Sequence, residues 1–340
     1  MNPLSMVKRF MLQMRNKFGV FDYVHLKKSL PLNIYSKSIK FAIAGALGGL
    51  IGEIISEFMV IGVQTDFWDM AFRAGAWSSF LSVFICTFLI GAQNYYLKRP
   101  LVEWEKYGKT ISIGFLGGFI GGFVAQILFN VAWFYLGILL FLSIIFLMKN
   151  IGKKVNGFQI YAFASIGFIF CFFFLRGSAW GLMGSAIGLA ASYIVPNLKK
   201  QASIFGGLIG GLIGSVFFIS LAYLFGDSTG RVLGATSIGF FIGLMIAISE
   251  TTFREAWIQV IWSDLESMNV GLGNQPVTIG SLPNSTIFLP KKLGFEGNVG
   301  AIILENGKIQ YEDAKSKKRT DFKNGSQITI GNIIIKVHAG

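Results

Sequence analysis

The sequence predicts a mostly α-helical polytopic membrane protein with about eight transmembrane helices, three glycine-rich repeats and a small C-terminal all-β sandwich domain. Two observations predict the membrane part. Hydrophobic residues make up 53% of the chain and charged residues only 14%, and apolar runs long enough to span a bilayer recur from Phe41 to Glu250. A third observation predicts the second domain, because after about Trp262 these runs give way to alternating patterns and turns.

Glycines recur at helical spacing in three of the apolar runs: AGALGGLIG at 44–52, SIGFLGGFIGG at 112–122 and GGLIGGLIG at 206–214. Glycines on one face let a second helix backbone come close, and such packing is the main adhesive between helices in a bilayer. The expected helix-packing positions are Gly48, Gly52, Gly114, Gly118, Gly122, Gly206, Gly210 and Gly214.

The apolar runs set the expected order of the membrane spans. The eight spans fall near 41–61, 74–97, 110–129, 131–148, 159–175, 177–196, 203–225 and 231–250. Lysine and arginine concentrate in alternate connections, so the positive-inside rule predicts a cell-membrane protein with both termini cytoplasmic. Three repeat units at 40–99, 107–197 and 200–260 fit the spacing, with a hairpin inserted at 131–175 in the second. Chance similarity among helices rich in glycine and phenylalanine is the alternative.

Four segments follow from composition: a basic amphipathic interfacial segment at 1–40, a glycine-rich helical bundle at 41–252, a linker helix at 253–270 and a cytoplasmic β-domain at 271–340. The first segment carries eight basic residues and one acidic residue, which is typical of a helix on an anionic leaflet. A solvated basic tail is the alternative. The net charge of +13 is attributed to topology, so the expected partner is the lipid bilayer and no nucleic acid is expected.

Ionisable residues inside the apolar runs are the candidates for intramembrane function. Glu53 and Glu57 lie one helical turn apart in the first span, and Arg73, Arg176 and Arg231 each open the second helix of a repeat unit. Two carboxylates on one face could bind a cation or a proton. Alternatively, they lie near the outer interface or pair with one of the arginines.

The sequence contains no recognisable catalytic or metal-binding constellation. His25 and His338 are far from any cysteine cluster, and Cys86 and Cys171 both lie in apolar runs. The glycine runs are inside predicted spans with no strand before them, so they do not read as phosphate-binding loops. The sequence therefore predicts a protein that is not an enzyme and has no cofactor or metal.

Five short strand motifs follow one another in the C-terminal region: Val277-Thr-Ile-Gly280, Ile287-Phe-Leu-Pro290, Ala301-Ile-Ile, Tyr311-Glu-Asp313 and Gln327-Ile-Thr-Ile-Gly331. Through these residues the region of about 275–338 resembles the forkhead-associated (FHA) domain family. The resemblance implies a β-sandwich with a loop surface that binds a protein partner.

The positions that bind phosphothreonine in the family are changed in this chain. Ser281 stands where the family has its phosphate-binding arginine, and Gly297 and Gly300 replace the serine and histidine of its S-x-x-H motif. The remaining loop is basic and could meet an acidic or phosphorylated partner, with a solvated charged loop as the alternative. The candidate partner-binding residues are Ser281, Ser316, Lys317, Lys318, Arg319 and Thr320.

These features predict a membrane-anchored scaffold that holds a degenerate FHA-like interaction domain at the membrane and recruits a cytosolic protein in signalling. The alternative is a channel or transporter regulated by that domain, which the acidic pair and the repeat favour. An enzyme acting on lipid ranks third, because no catalytic set is present. Self-association into a homo-oligomer is compatible with either of the first two hypotheses.

Overall fold

The computed structural model describes residues 32–59, 66–99, 104–150, 165, 176–263, 266–291, 294–295, 297–305 and 307–339. Six helices come first: α1 (Leu32–Met59), α2 (Phe67–Tyr96), α3 (Trp104–Asn150), α4 (176–191), α5 (Lys200–Phe225) and α6 (Asp227–Thr252). The side chain of Asp66 caps α2 by accepting a 2.7 Å bond from the amide of Asp69. Gly226, at φ +80°, makes the tight connection between α5 and α6.

The six helices form a closed ring in which each helix contacts the next in chain order. A Cβ atom added to Gly48 on α1 would meet Ile85 on α2, and one added to Gly117 on α3 would meet Ala186 on α4. The ring closes where Gly45 of α1 meets Gly239 of α6. The close approaches therefore lie where the sequence places its small residues.

The even-numbered helices α2, α4 and α6 supply most of the centre of the ring. Large aliphatic side chains from all three form one cluster with little or no solvent exposure: Leu81, Ile85, Leu89, Met183, Ile187, Ile238, Ile242 and Ile246. Trp77 of α2 and Trp180 of α4 meet edge to face, with ring centroids 5.3 Å apart. The outward positions of α1, α3 and α5 carry exposed apolar side chains such as Ile43, Leu116 and Phe205.

Five helices in the described part of the chain are long and apolar enough to cross a membrane, which supports the membrane assignment. The expected count of eight spans is not supported. The spans expected at 110–129 and 131–148 belong to one unbroken helix, α3, because no turn or breaker residue separates them. The span expected at 159–175 and the basic segment at 1–31 lie outside the described residues, except for residue 165.

Nine strands follow the helices, in two sheets. They are β1 (Ala256–Ser263), β2 (Glu266–Leu272), β3 (Val277–Gly280), β4 (Ile287–Phe288), β5 (Gly300–Glu305), β6 (Lys308–Asp313), β7 (Arg319–Phe322), β8 (Gln327–Ile330) and β9 (Ile333–Ala339). The sheet orders are β2-β1-β9-β8 and β4-β3-β5-β6-β7. Both sheets contribute to one hydrophobic core, so the C-terminal region is a β-sheet domain, as expected.

The linker helix expected at 253–270 is wrong, and the β-domain begins earlier than 271. Residues 256–263 and 266–272 form β1 and β2, an antiparallel pair. The apolar run from Trp257 to Trp262 has the right composition for a helix face, but its burial alternates with period two: Ala256, Ile258 and Val260 point into the core. The boundary expected at residue 40 falls inside α1, whose candidate membrane span begins at Lys37.

Candidate functional site

The residues that the sequence singled out in the β-domain lie at one end of the β3-β5-β6 sheet. The amide of Leu282 donates to the carbonyl of Gly297 at 3.2 Å, and the amide of Ala314 donates to the carbonyl of Val299 at 3.1 Å. These two bonds bring three segments together: the loop after β3, the segment before β5 and the turn after β6. Ser281, however, is only 4% exposed, so its side chain is not available to a ligand.

The turn from Asp313 to Lys318 is built around one carboxylate. Asp313 Oδ1 accepts bonds from the amides of Lys315 and Ser316, at 3.0 and 2.8 Å, and from the Ser316 hydroxyl at 3.0 Å. The bonds from Ser316 hold the pKa of Asp313 below its usual range. Because the ionised form accepts them, the turn is expected to be ordered at neutral pH and to loosen as the pH falls below about 4.

The basic side chains of this turn differ in whether carboxylates already bind them. Lys317 and Lys318 are exposed, and Lys317 has φ +55°, which turns the backbone sharply at this point. Arg319 is held by two carboxylates, Glu312 at 2.9 Å and Glu305 at 3.3 Å. Thr320 is exposed on β7 and lies opposite Tyr311 of β6. Lys315 interacts with another group, so among the described residues of the turn Lys317 and Lys318 are the lysines available to a partner.

The acidic pair of α1 lies at the end of the bundle away from the β-domain. Glu53 is fully buried, and among the described residues neither of its carboxyl oxygens has a hydrogen-bond partner. Glu57 lies 3.2 Å from the guanidinium of Arg231, at the start of α6. Pairing with an arginine, one of the two alternatives for these acids, therefore describes Glu57, whereas Glu53 stays unpaired.

The other two arginines at this end are also engaged. Arg73 pairs with Asp69 one turn earlier on α2, at 2.7 Å. The guanidinium of Arg176 lies over the ring of Phe129 on α3, 4.3 Å from the centroid. The three arginines thus mark one end of the bundle, and each has a separate partner.

All eight expected helix-packing glycines lie against a neighbouring helix. Gly48 and Gly52 face α2 from α1, and Gly206, Gly210 and Gly214 face α6 from α5. The remaining three lie on α3 and face α2, where a Cβ atom on Gly118 would lie 2.6 Å from the carbonyl of Ser78. The other two of these are Gly114 and Gly122.

The β-domain is fixed on the bundle by polar contacts that the sequence reading missed. The hydroxyl of Tyr96, the last residue of α2, accepts a 2.8 Å bond from the amide of Asn269 in β2. Asn197, between α4 and α5, donates to the carbonyls of Gly271 and Gln275 and accepts from the Gln275 amide, all within 3.1 Å. Two ion pairs border the joint: Lys98–Glu266 and Lys199–Glu255.

A buried ion pair lies in the same joint. The ammonium of Lys37, near the start of α1, is 3.1 Å from a carboxylate oxygen of Glu250, near the end of α6, and both side chains are 5% exposed. The ammonium also lies 4.9 Å from the centre of the Tyr96 ring. This pair places the start of α1 and the β-domain at the same end of the bundle. Lys37 falls within the interfacial segment that the sequence predicts, and Glu250 is not among the candidate residues.

Comparisons of the whole chain with protein-family models, with curated proteins and with solved structures give no match. Within the part of the chain that the structure describes, no group of three or more histidine, cysteine or acidic side chains is placed to hold a metal ion.

Proposed function

We propose that this protein is a membrane anchor for an FHA-like interaction domain, which recruits or organises a cytosolic protein partner. The observation that carries the proposal is the joint between the two parts. The β-domain is attached at β2 and at the approach to β3, through Asn269, Gly271 and Gln275. The turn with Lys317 and Lys318 is elsewhere on the domain, so docking leaves it exposed.

The packing of the bundle also favours an anchor over a conduit. The centre is filled by aliphatic side chains from α2, α4 and α6, and the rings of Trp77, Trp180 and Phe218, in edge-to-face and tilted contacts, fill it towards the other end. A rigid, filled bundle holds a docked domain in a fixed orientation. In this arrangement the joint, with the start of α1 and the C-terminal β-domain, lies on the cytoplasmic side, in agreement with the basic residues Lys98, Lys199 and Lys200 at this end.

We also propose that the ring consists of three repeated helix pairs, α1–α2, α3–α4 and α5–α6. In each pair the first helix carries two rows of glycines. One row packs against the second helix of the same pair, and the other row packs against the helix that precedes the pair around the ring. Gly48 and Gly210 make the first kind of contact, with α2 and α6. Gly45 and Gly207 make the second kind, with glycine carbonyls of α6 and α4. This recurrence supports the three units that the sequence predicts.

Recruitment is tested by photo-crosslinking in cells from a reactive group placed at Ser316 of the full-length protein. We expect a specific crosslinked protein whose yield falls when Lys317 and Lys318 are both changed to Ala, because these two supply the free positive charge of the turn. The matched control changes Lys308 and Lys323, which are exposed elsewhere on the domain. Equal yields from the two double variants would contradict recruitment through this turn.

Phosphothreonine recognition is expected to be weak or absent. Ser281 is buried where the family has an arginine, and Arg319 is held by two glutamates. Loss of one charge-assisted phosphate contact corresponds to about a tenfold to hundredfold weaker affinity. Titration of the full-length protein with phosphorylated and unphosphorylated peptide libraries measures this. Micromolar, phosphothreonine-dependent binding that survives Ala at Lys317, Lys318 and Arg319 would refute the view that the domain is degenerate.

A channel or transporter is the second candidate, and the unpaired carboxyl of Glu53 favours it, because buried acids in membranes often mark ion pathways. Ion and proton flux into liposomes that contain the purified protein discriminates between the candidates. If the protein is only an anchor, the flux into these liposomes equals the background leak of empty liposomes. Flux that disappears in Glu53→Gln, with the variant still folded, would favour the conduit.

A further inference from the structure

A groove of about 430 Å³ opens on the outer face of α2, between α1 and α3. Its floor is formed on α2 by Phe88, Gly91 and Ala92, and one wall is formed on α1 by Ile43 and Leu47. Because Gly91 has no side chain, the groove stays open here: a Cβ atom at this position would have no neighbour within 4 Å. The groove lies between helices that are apolar enough to span a membrane. In a bilayer it therefore faces the acyl chains of the lipids.

The polar groups of the groove are at the end nearest the β-domain. Lys40 lines this end together with Tyr95 and Tyr107. The ammonium of Lys40 is 5.2 Å from the centre of the Tyr95 ring. Among the described residues no carboxylate lies within ion-pair distance of Lys40, in contrast to Lys37, one turn earlier, which Glu250 neutralises. The groove therefore combines apolar walls with one uncompensated positive charge.

We propose that this groove is a binding site for one anionic phospholipid. An acyl chain lies along Ile43, Leu47 and Phe88, and the phosphate of the headgroup is bound by the ammonium of Lys40. The chemistry of the two ends matches that of the lipid: apolar area covers a hydrocarbon chain, and the partly buried Lys40 gains a charge-assisted bond to a phosphate oxygen. A zwitterionic lipid fills the same walls but brings no net charge to Lys40, so the site selects for anionic headgroups. This site is independent of the recruitment turn of the β-domain.

Native mass spectrometry of the full-length protein in detergent, titrated with dioleoyl phosphatidylglycerol or dioleoyl phosphatidylcholine, tests the proposal. We expect one tightly retained phosphatidylglycerol and weaker, unsaturated binding of phosphatidylcholine. Gly91→Phe fills the groove and is expected to abolish the tight site. Gly108→Phe is the matched control, because Gly108 also has open space around it but does not line the groove.

The headgroup contact is tested with Lys40→Gln, which is expected to weaken phosphatidylglycerol by about tenfold to a hundredfold, the range for one charge-assisted bond. Phosphatidylcholine is expected to weaken less, because its choline cation partly cancels the attraction between its phosphate and Lys40. Lys200→Gln is its control, since Lys200 lies at the start of α5 over Tyr193 and away from the groove. Equal binding of the two lipids by the wild-type protein would overturn the proposal, as would equal effects of Lys40→Gln and Lys200→Gln. If Gly91→Phe fails to fold, the lysine pair still decides the outcome.

Discussion

Glu250→Gln is expected to lower the free energy of unfolding by about 3–5 kcal/mol, because it leaves the buried ammonium of Lys37 without its counter-charge. Both side chains are 5% exposed, so water cannot replace the lost partner. The pair also joins the first helix to the last at the point where the β-domain docks. The expected result is a lower unfolding temperature in detergent together with faster proteolysis of the joint.

Two further variants separate the cost of an unpaired charge from the loss of a contact. Replacing both partners, as Lys37→Met with Glu250→Leu, is expected to recover most of the stability, since paired apolar replacements of a buried ion pair are often neutral. Lys199→Ala is the control, because its pair with Glu255 lies on the surface, with side chains 56% and 74% exposed. A Glu250→Gln variant as stable as Lys199→Ala would show that Lys37 and Glu250 do not form the joint.

Gly210→Leu is expected to destabilise the bundle by about 3 kcal/mol, the upper part of the usual range for an overpacked core. A Cβ atom on Gly210 would lie 2.6 Å from the Cα atom of Ile242 and 2.6 Å from the carbonyl of Phe241 on α6. These are backbone atoms, so the two helices have to separate and the contacts along the whole α5–α6 interface weaken. Gly118→Leu is expected to act in the same way between α3 and α2.

Thermal unfolding of the detergent-solubilised protein measures these effects. Gly108→Leu is the control, because it places the same side chain on a membrane helix at a position with no neighbour within 4 Å. If Gly210→Leu and Gly118→Leu unfold at the temperature of Gly108→Leu, their glycine faces meet lipid and the ring is held together in another way.

Most of the helical part was predictable because its signals are local. Apolar length predicts a membrane helix wherever it occurs, and the glycine spacing predicts a close helix contact without naming the partner. The strands from β3 to β9 were predictable for the same reason, with the exception of β7, since alternation and turn residues such as Gly307 and Gly325 mark them. β7 carries no such signal, because Arg319 and Asp321 are charged edge-strand residues with no alternating apolar pattern.

The sequence predicted which residues belong to the candidate site, but not whether their side chains are accessible to a partner. The sequence identifies Ser281 and Arg319 as loop residues of an FHA-like domain. It does not show that Ser281 is buried, because the contact comes from the loop near Gly297, sixteen positions further along the chain. Nor does it show that Arg319 is engaged, since Glu305 reaches it only after β5, β6 and β7 have paired.

The sequence by itself determined the class of each region: apolar helices with small-residue faces, then a β-domain of alternating strands. Only the tertiary structure decided which faces meet. The ring of six helices depends on contacts between residues such as Gly45 and Gly239, which are far apart in the chain. The reading of Trp257 to Trp262 as a strand depends on its pairing with β2 and β9. The burial of Lys37 with Glu250 has the same origin: a charge leaves water only when distant elements bring it a partner.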